Sequence, residues 1–189
     1  MSLWEIAYSQ SNPIWKQYDA PYYDDYQHFP NFQEFKLQKS ESTLNNSNRL
    51  GIFVDDKLVG TVSRYWVCKQ TRWMELGICI YDNKFWNSGI GKAAMLQWID
   101  RTFQDYLELE HLGLTTWSGN FGMMKLAEKL RMKNLPGCCM RILHSSFIIL
   151  HFLNNPVSSL FCLLHQRTFL FSLCVAIASC HNRMLQDVA

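Results

Sequence analysis

The sequence predicts an α/β fold with a mixed, mostly antiparallel central sheet flanked by helices. Three observations lead there. Three strand-like segments follow one another between residues 49 and 81, separated only by short polar turns. A helix, a fourth strand and a second helix then follow, up to Met132. Glycines sit at the junction between the third strand and the first of those helices. Runs of period-two alternation joined by tight turns give antiparallel pairs, and a strand-helix-strand unit gives a parallel one.

The elements follow in order. Trp4 to Phe35 is rich in Tyr, Trp, Phe and Asp and is punctuated by Pro13, Pro21 and Pro30, which reads as short helices and loops. Its aromatic and acidic groups, with Asp19, Asp24 and Asp25, fit either a substrate-facing lid or a cap on the core, and the cap is the commoner outcome. Leu37 to Asn48 is polar and Ser/Asn-rich, which reads as a loop. Arg49–Val54 is a strand, Asp55-Asp56 a tight turn, and Lys57–Val67 the antiparallel partner. After a turn at Lys69 to Arg72 comes the third strand, Trp73–Tyr81. Met74, Leu76, Ile78 and Ile80 share one face of it, and Glu75, Gly77, Cys79 and Tyr81 the other.

Gly91–Tyr106 has helical spacing, with Met95, Trp98, Ile99, Phe103 and Tyr106 on one stripe. Leu112–Trp117 is the next strand, and Asn120–Met132 the next helix. The third and fourth strands should run parallel through a right-handed crossover.

Composition narrows the function. A chain of 189 residues with a formal charge of +2 is long enough for one domain with a real core, and its charge speaks against nucleic acid as a partner. The seven cysteines show no disulfide framework. Cys68 and Cys79 read as small buried hydrophobes in a reducing compartment. Met1 to Gln10 lacks an apolar leader, and the expected location is the cytoplasm.

The tail differs. Up to Lys133 there are 15 Lys and Arg against 15 Asp and Glu, whereas beyond it only Arg141, Arg167, Arg183 and Asp187 are charged. Residues 1–133 therefore read as the domain, and 134–189 as an atypical apolar, Cys/His-rich tail without clear strand alternation and of aberrant origin. The uncharged stretch between Arg141 and Arg167 is interrupted by Asn154-Asn155-Pro156 and by three histidines, so a membrane span is not expected. Cys138, Cys139, His144, Cys162 and His165 lack paired ligand spacing, and no metal is expected.

The loop Asn87-Ser-Gly-Ile-Gly-Lys92 carries the chemistry. At a helix N-terminus the first backbone N–H groups lack partners, and the helix dipole adds positive potential, so a phosphate or pyrophosphate is the natural occupant. Upstream, Glu75 is a lone carboxylate on an apolar strand and a candidate base.

This strand order, with Gly89-Ile90-Gly91 at the junction, resembles the GNAT superfamily of acyl-CoA N-acetyltransferases. The segment Phe85-Trp-Asn-Ser-Gly-Ile-Gly91 resembles the RimJ/RimL-type branch. The likeness covers residues 49–133 well, the first 48 loosely and the tail not at all. It implies an enzyme that transfers acetyl from acetyl-CoA to a primary amine, either a protein N-terminus or a small amine, with no metal. A homodimer is compatible with it. Asn87, Ser88, Gly89, Ile90, Gly91 and Lys92 would hold the CoA pyrophosphate, and Ile78, Cys79 and Ile80 would pair with the pantetheine amides.

Asn120 would contact the carrier or order the strand end, or serve as a plain helix N-cap. Glu75 would be the base. Trp86 stands where the family commonly has Gln or Arg, Ala127 where many members have a Tyr acid, and Arg131 where Gly usually caps the helix. Ala127, Arg131 and the tail keep open an alternative, a catalytically impaired GNAT-like CoA-binding protein with an aberrant C-terminus.

Overall fold

The N-terminal part is more helical than its polar sequence implies. The computed structural model describes residues 2–20, 26–44, 46–134, 147–153 and 175–178. After single helical turns at Trp4–Tyr8 and Ile14–Tyr18 comes helix α1 (Phe32–Leu44), which occupies most of the expected loop. Its start is fixed by a reciprocal cap. The Glu34 N–H donates to Asn31 Oδ1 at 2.9 Å, and Asn31 Nδ2 donates to Glu34 Oε1 at 2.9 Å. Phe35 anchors it, buried against the rings of Tyr8 and Phe29. Asp24 and Asp25 lie outside the described residues.

Strands β1 (Arg49–Val54), β2 (Lys57–Cys68) and β3 (Trp73–Ile80) form the expected antiparallel meander. Asp55 and Asp56 both adopt positive φ, 46° and 61°, as a two-residue hairpin turn between right-twisted strands requires. Helix α2 (Ile90–Asp105) crosses to β4 (His111–Trp117), which runs parallel to β3. Helix α3 (Phe121–Lys129) follows. Short β5 (Lys133–Asn134), β6 (Phe147–Leu153) and β7 (Val175–Ala178) complete one sheet in the order β5-β6-β4-β3-β2-β1-β7.

Two pieces of the tail are therefore strands, contrary to the reading of its pattern. The β6 strand pairs antiparallel with β4 from His111↔Leu153 to Trp117↔Phe147, and β7 pairs antiparallel with β1. β6 lies between β4 and β5 while β7 is at the sheet edge, and neither unbroken apolar run carries the period-two signal by which a strand is recognised.

The core lies mainly between the sheet and α2. Trp98 and Met95 are fully buried against Met74, Leu76, Leu112 and Leu114. The opposite face is closed by the N-terminal aromatic layer, with Leu3, Ala7, Phe29 and Phe35 on Phe53, Leu58 and Tyr81. One charged group enters this frame away from the site. Arg64, 5 % exposed, is held between the rings of Trp98 and Tyr106 at 4.6 and 4.8 Å, and it donates to Asn48 Oδ1, Thr102 Oγ1 and Asp105 Oδ2.

Helix α3 ends in a Schellman cap. Met132 N–H bonds to Ala127 O at 3.0 Å and Arg131 N–H to Glu128 O at 2.9 Å, with Arg131 at φ 59°. Cys68 is half-exposed at the end of β2 and donates to Gln70 Oε1, so the expectation of a buried thiol fails there because the hairpin end projects from the core. Among the described residues no helix is long and apolar enough to cross a membrane, and no cluster of His, Cys, Asp and Glu is placed to hold a metal. Cys138, Cys139, His144, Cys162 and His165 lie outside the described residues.

Candidate active site

The site begins where two strands part. The parallel pairing of β3 with β4 runs over Trp73↔His111, Met74↔Leu112 and Glu75↔Gly113 and then stops. Beyond that rung β3 still pairs with β2, but its edge toward β4 is open along Gly77 to Ile80. An open strand edge presents backbone N–H and C=O groups to whatever extended chain lies beside it.

The turn after β3 leads to the loop expected to cradle an anion. Asp82 caps the short turn Asn83–Phe85 by accepting from the Lys84 N–H. Trp86 Nε1 donates to the Ile80 carbonyl at 2.8 Å, which ties the loop to the last residue of β3. Asn87 and Gly89 have φ of 58° and 89°. At Gly89 an added Cβ would meet nothing, so the backbone lies open to an incoming group. Among the described residues no acceptor meets the N–H groups of Asn87, Ser88, Gly89, Ile90, Gly91 or Lys92, and the first helical bond of α2 is Ala93 N–H to Gly89 O. Alternating φ signs with unpaired amides at a helix start make a concave site for an anion.

A cavity of about 440 Å³ joins these features. Of the residues expected to bind the carrier, Ile78, Cys79, Ile80, Asn87, Gly89, Gly91, Lys92 and Asn120 line it. Ser88 and Ile90 do not, because Ser88 Oγ turns back to the Phe85 carbonyl and the Ile90 side chain is buried in the core. Their backbone amides remain in the cradle.

The cavity is lined from both faces of the sheet. Ile78 and Ile80 pack on the α2 side, while Cys79 and the N-terminal residues Trp15, Tyr18 and Asp19 stand on the other. Burial pushes the Cys79 thiol well above its ordinary range, so it stays protonated at neutral pH. Tyr81, two residues on and hydrogen-bonded to Thr61, is pushed up by burial in the same way.

Asn120 caps α3 by accepting from Met123 N–H at 3.0 Å, and its Nδ2 donates to the Tyr18 carbonyl at 3.2 Å. Trp117 Nε1 donates to that same carbonyl at 2.8 Å, and the Tyr18 ring stands edge-on to Trp86 at 5.0 Å. The aromatic opening thus both caps the core and walls the cavity.

Glu75 occupies the last paired rung, below the opening, and it does not line the cavity. It is 5 % exposed, and each oxygen accepts a hydroxyl: Tyr65 Oη at 2.6 Å and Thr115 Oγ1 at 2.8 Å. Sequence reasoning missed Tyr65 and Thr115. The register of the β2–β3 hairpin, which sets Tyr65 opposite Glu75, was the available signal for the first. Ala127 is wholly buried under α3, so that position faces the core and not the cavity.

Comparison with known proteins now fits this frame. A family model described as an acetyltransferase (GNAT) domain matches residues 5–133, and the chain belongs to that family. Among solved structures it is similar to a protein provisionally assigned as an acetyltransferase, at 19% identity and TM-score 0.53 over 68% of this chain and 71% of the other. A domain from Methanocaldococcus jannaschii DSM 2661 matches at 17% identity and TM-score 0.52, over 79% and 90% of the two chains. A mutant form of the spermidine/spermine N-acetyltransferase SpeG from Vibrio cholerae matches at 15% identity and TM-score 0.50, over 67% and 76%. At these identities the likeness is one of fold. A search of curated proteins finds no match.

Proposed function

We propose that this chain is an acetyl-CoA-dependent N-acetyltransferase of the RimJ/RimL-like branch, acting in the cytoplasm on a primary amine of a protein N-terminus or a small molecule. One observation carries the proposal. The open edge of β3 and the unpaired amides of Asn87 to Lys92 border a single cavity, as an extended arm ending in a pyrophosphate requires.

In this reading Ile78, Cys79 and Ile80 pair with the pantetheine amides, and the loop amides hold the pyrophosphate. The amine nitrogen forms its bond to the acetyl carbon as the C–S bond breaks. Glu75 accepts the amine's proton through water or the Thr115 hydroxyl, since it stands just below the opening. The thiolate leaves protonated by solvent, because Ala127 supplies no acid. The domain of this reading is residues 1–133, with 134–189 as an atypical tail.

The test is acetyl-CoA consumption, followed by thiol release, against peptides, polyamines and aminoglycosides. Turnover with one amine class supports the proposal, and failure to bind acetyl-CoA in titration calorimetry overturns it.

A second reading rests on one feature. Glu75 is already engaged by two hydroxyls and lies off the cavity, which suits a relative that binds CoA without turnover. Carrier binding with no thiol release for any amine selects that reading.

A further inference from the structure

On the face of the sheet away from α2, one cross-strand row runs Arg49, Ser63, Gly77. Arg49 stands opposite Ser63 on β1 and β2, and Ser63 opposite Gly77 on β2 and β3. Residues directly opposite one another share a face. Gly77 is the first position of that face beyond the last β3–β4 rung, and Glu75 is its neighbour on the rung itself. A Cβ at Gly77 would stand 2.6 Å from Ser63 Oγ, so the glycine leaves the space beside that hydroxyl open. None of the three residues lines the cavity, so the row leads away from it, starting where the strands part.

This face offers donors and few acceptors. Among the described residues the Arg49 guanidinium meets no carboxylate, and neither it nor Ser63 Oγ has a hydrogen-bond partner. Trp15 Nε1, packed on the same face with Cys79 and Tyr81, is buried and meets no acceptor either. The nearby acceptors are taken. Asn48 Oδ1 receives Arg64 and Tyr106, Glu75 receives Tyr65 and Thr115, and Asp19 is engaged by Lys16. Burial raises the Cys79 thiol and the Tyr81 hydroxyl, and the Arg49 charge acts on both in the opposite direction, so its head lies within electrostatic reach of this face.

We propose that Arg49 and Ser63 bind the carboxylate of the acetyl acceptor, which is a small free amino acid whose amine lies toward Glu75. The proposal rests on the acyl-transfer reading above and names its substrate class. Partner-less donors suit an incoming group rich in acceptors. A guanidinium fork matches a carboxylate, and one positive charge balances that monoanion, whereas a phosphate dianion would leave negative charge in excess beside Glu75. A polyamine would bring cations to the Arg49 charge and give the donors nothing to bind. Strands lie about 4.8 Å apart, so the Arg49 and Gly77 backbones are ~10 Å from each other, a span that an arginine side chain and a small amino acid fill together. The carboxylate takes no part in the bond changes, and it fixes where the amine sits.

The test is steady-state thiol release from acetyl-CoA with the common amino acids, each beside its own carboxamide, and with a diamine. It uses the wild-type chain, Arg49→Gln, Arg49→Lys, and Lys57→Gln at the β1–β2 turn as control. Arg49 has no partner to lose among the described residues, so its variants should melt like wild type. The expected result is a preference in kcat/KM for an amino acid over its carboxamide of about tenfold or more in wild type and control. Arg49→Gln should abolish that preference by raising KM for the acid, with kcat, the KM for the carboxamide and acetyl-CoA affinity held. Arg49→Lys should restore part of it.

Equal use of acid and carboxamide by wild type, turnover of the diamine alone, or a preference that survives in Arg49→Gln overturns the carboxylate subsite and leaves acyl transfer standing. No thiol release with any acceptor overturns both.

Discussion

Two buried ionisable groups lie on neighbouring strands of this sheet, and they are held in opposite ways. Arg64 of β2 has every face occupied: two aromatic rings, a carboxylate, a hydroxyl and an amide oxygen. Among the described residues Glu75 of β3 meets no cation, and it is held by two neutral hydroxyls at the rung where β3 and β4 part. The first arrangement joins β2 to α2 and to the approach of β1. The second leaves a carboxylate held by short bonds from two neutral hydroxyls, at the rung beside an opening. A buried charge with a full set of partners is architecture, whereas the base proposed above has only two neutral hydroxyls for partners.

The comparison can be broken by substitution. The largest effect on folding is expected for Arg64→Ala, about 3 kcal/mol less stable by urea unfolding. It sits at the low end for a broken buried pair because Asp105 is over a third exposed and is rehydrated. A loss under about 1 kcal/mol would show that the Arg64 cluster is ornamental.

Glu75→Gln should do the reverse. It should lower turnover about a hundredfold or more while changing acetyl-CoA affinity and unfolding free energy little, read by steady-state kinetics beside calorimetry. Undiminished turnover would assign the base elsewhere.

A smaller effect sharpens the contrast along the row that carries Glu75. Cys79 and Tyr81 have ordinary values of 9.0 and 10.0 and are both raised by burial, so the folded state favours their neutral forms. Their contribution is complete below about pH 9 and declines as pH rises past the unfolded values toward the folded ones. Melting temperature followed from pH 7 to 11 should hold steady and then fall, and Cys79→Ala should delay the fall. An unchanged profile in that variant would remove Cys79 from the account.

The smallest effect is local. Arg131→Gly relieves the left-handed cap and should stabilise the chain by about 1 kcal/mol, with no change in turnover.

Much of the frame was legible because periodicity is local. The alternation of Trp73 to Ile80 assigned Glu75 its face, and the Asp55-Asp56 turn fixed the hairpin. The turn into α2 was legible because a glycine at a helix start marks a backbone bend, and Gly89 takes φ 89° there. Helix α1 was hidden because, among its described side chains, Phe32 and Phe35 reach the aromatic cluster and no apolar stripe runs along it. Strand β6 was hidden because its apolar run has no alternation.

Within the site, what stayed invisible depends on distant contacts. The Thr115 bond to Glu75 spans 40 residues, and the Asn120 bond to Tyr18 spans 102. No spacing rule reaches that far.

The indole of Trp86 has a consequence beyond its one hydrogen bond. By clasping the final carbonyl of β3 it ties the loop before α2 to the bare strand edge. On the acyl-CoA reading proposed above, the gap between them becomes a gauge for the length of the flexible tether that must span it. A thioester on a shorter stalk would seat one end and leave the other stranded, so a single aromatic residue turns two generic footholds into a ruler.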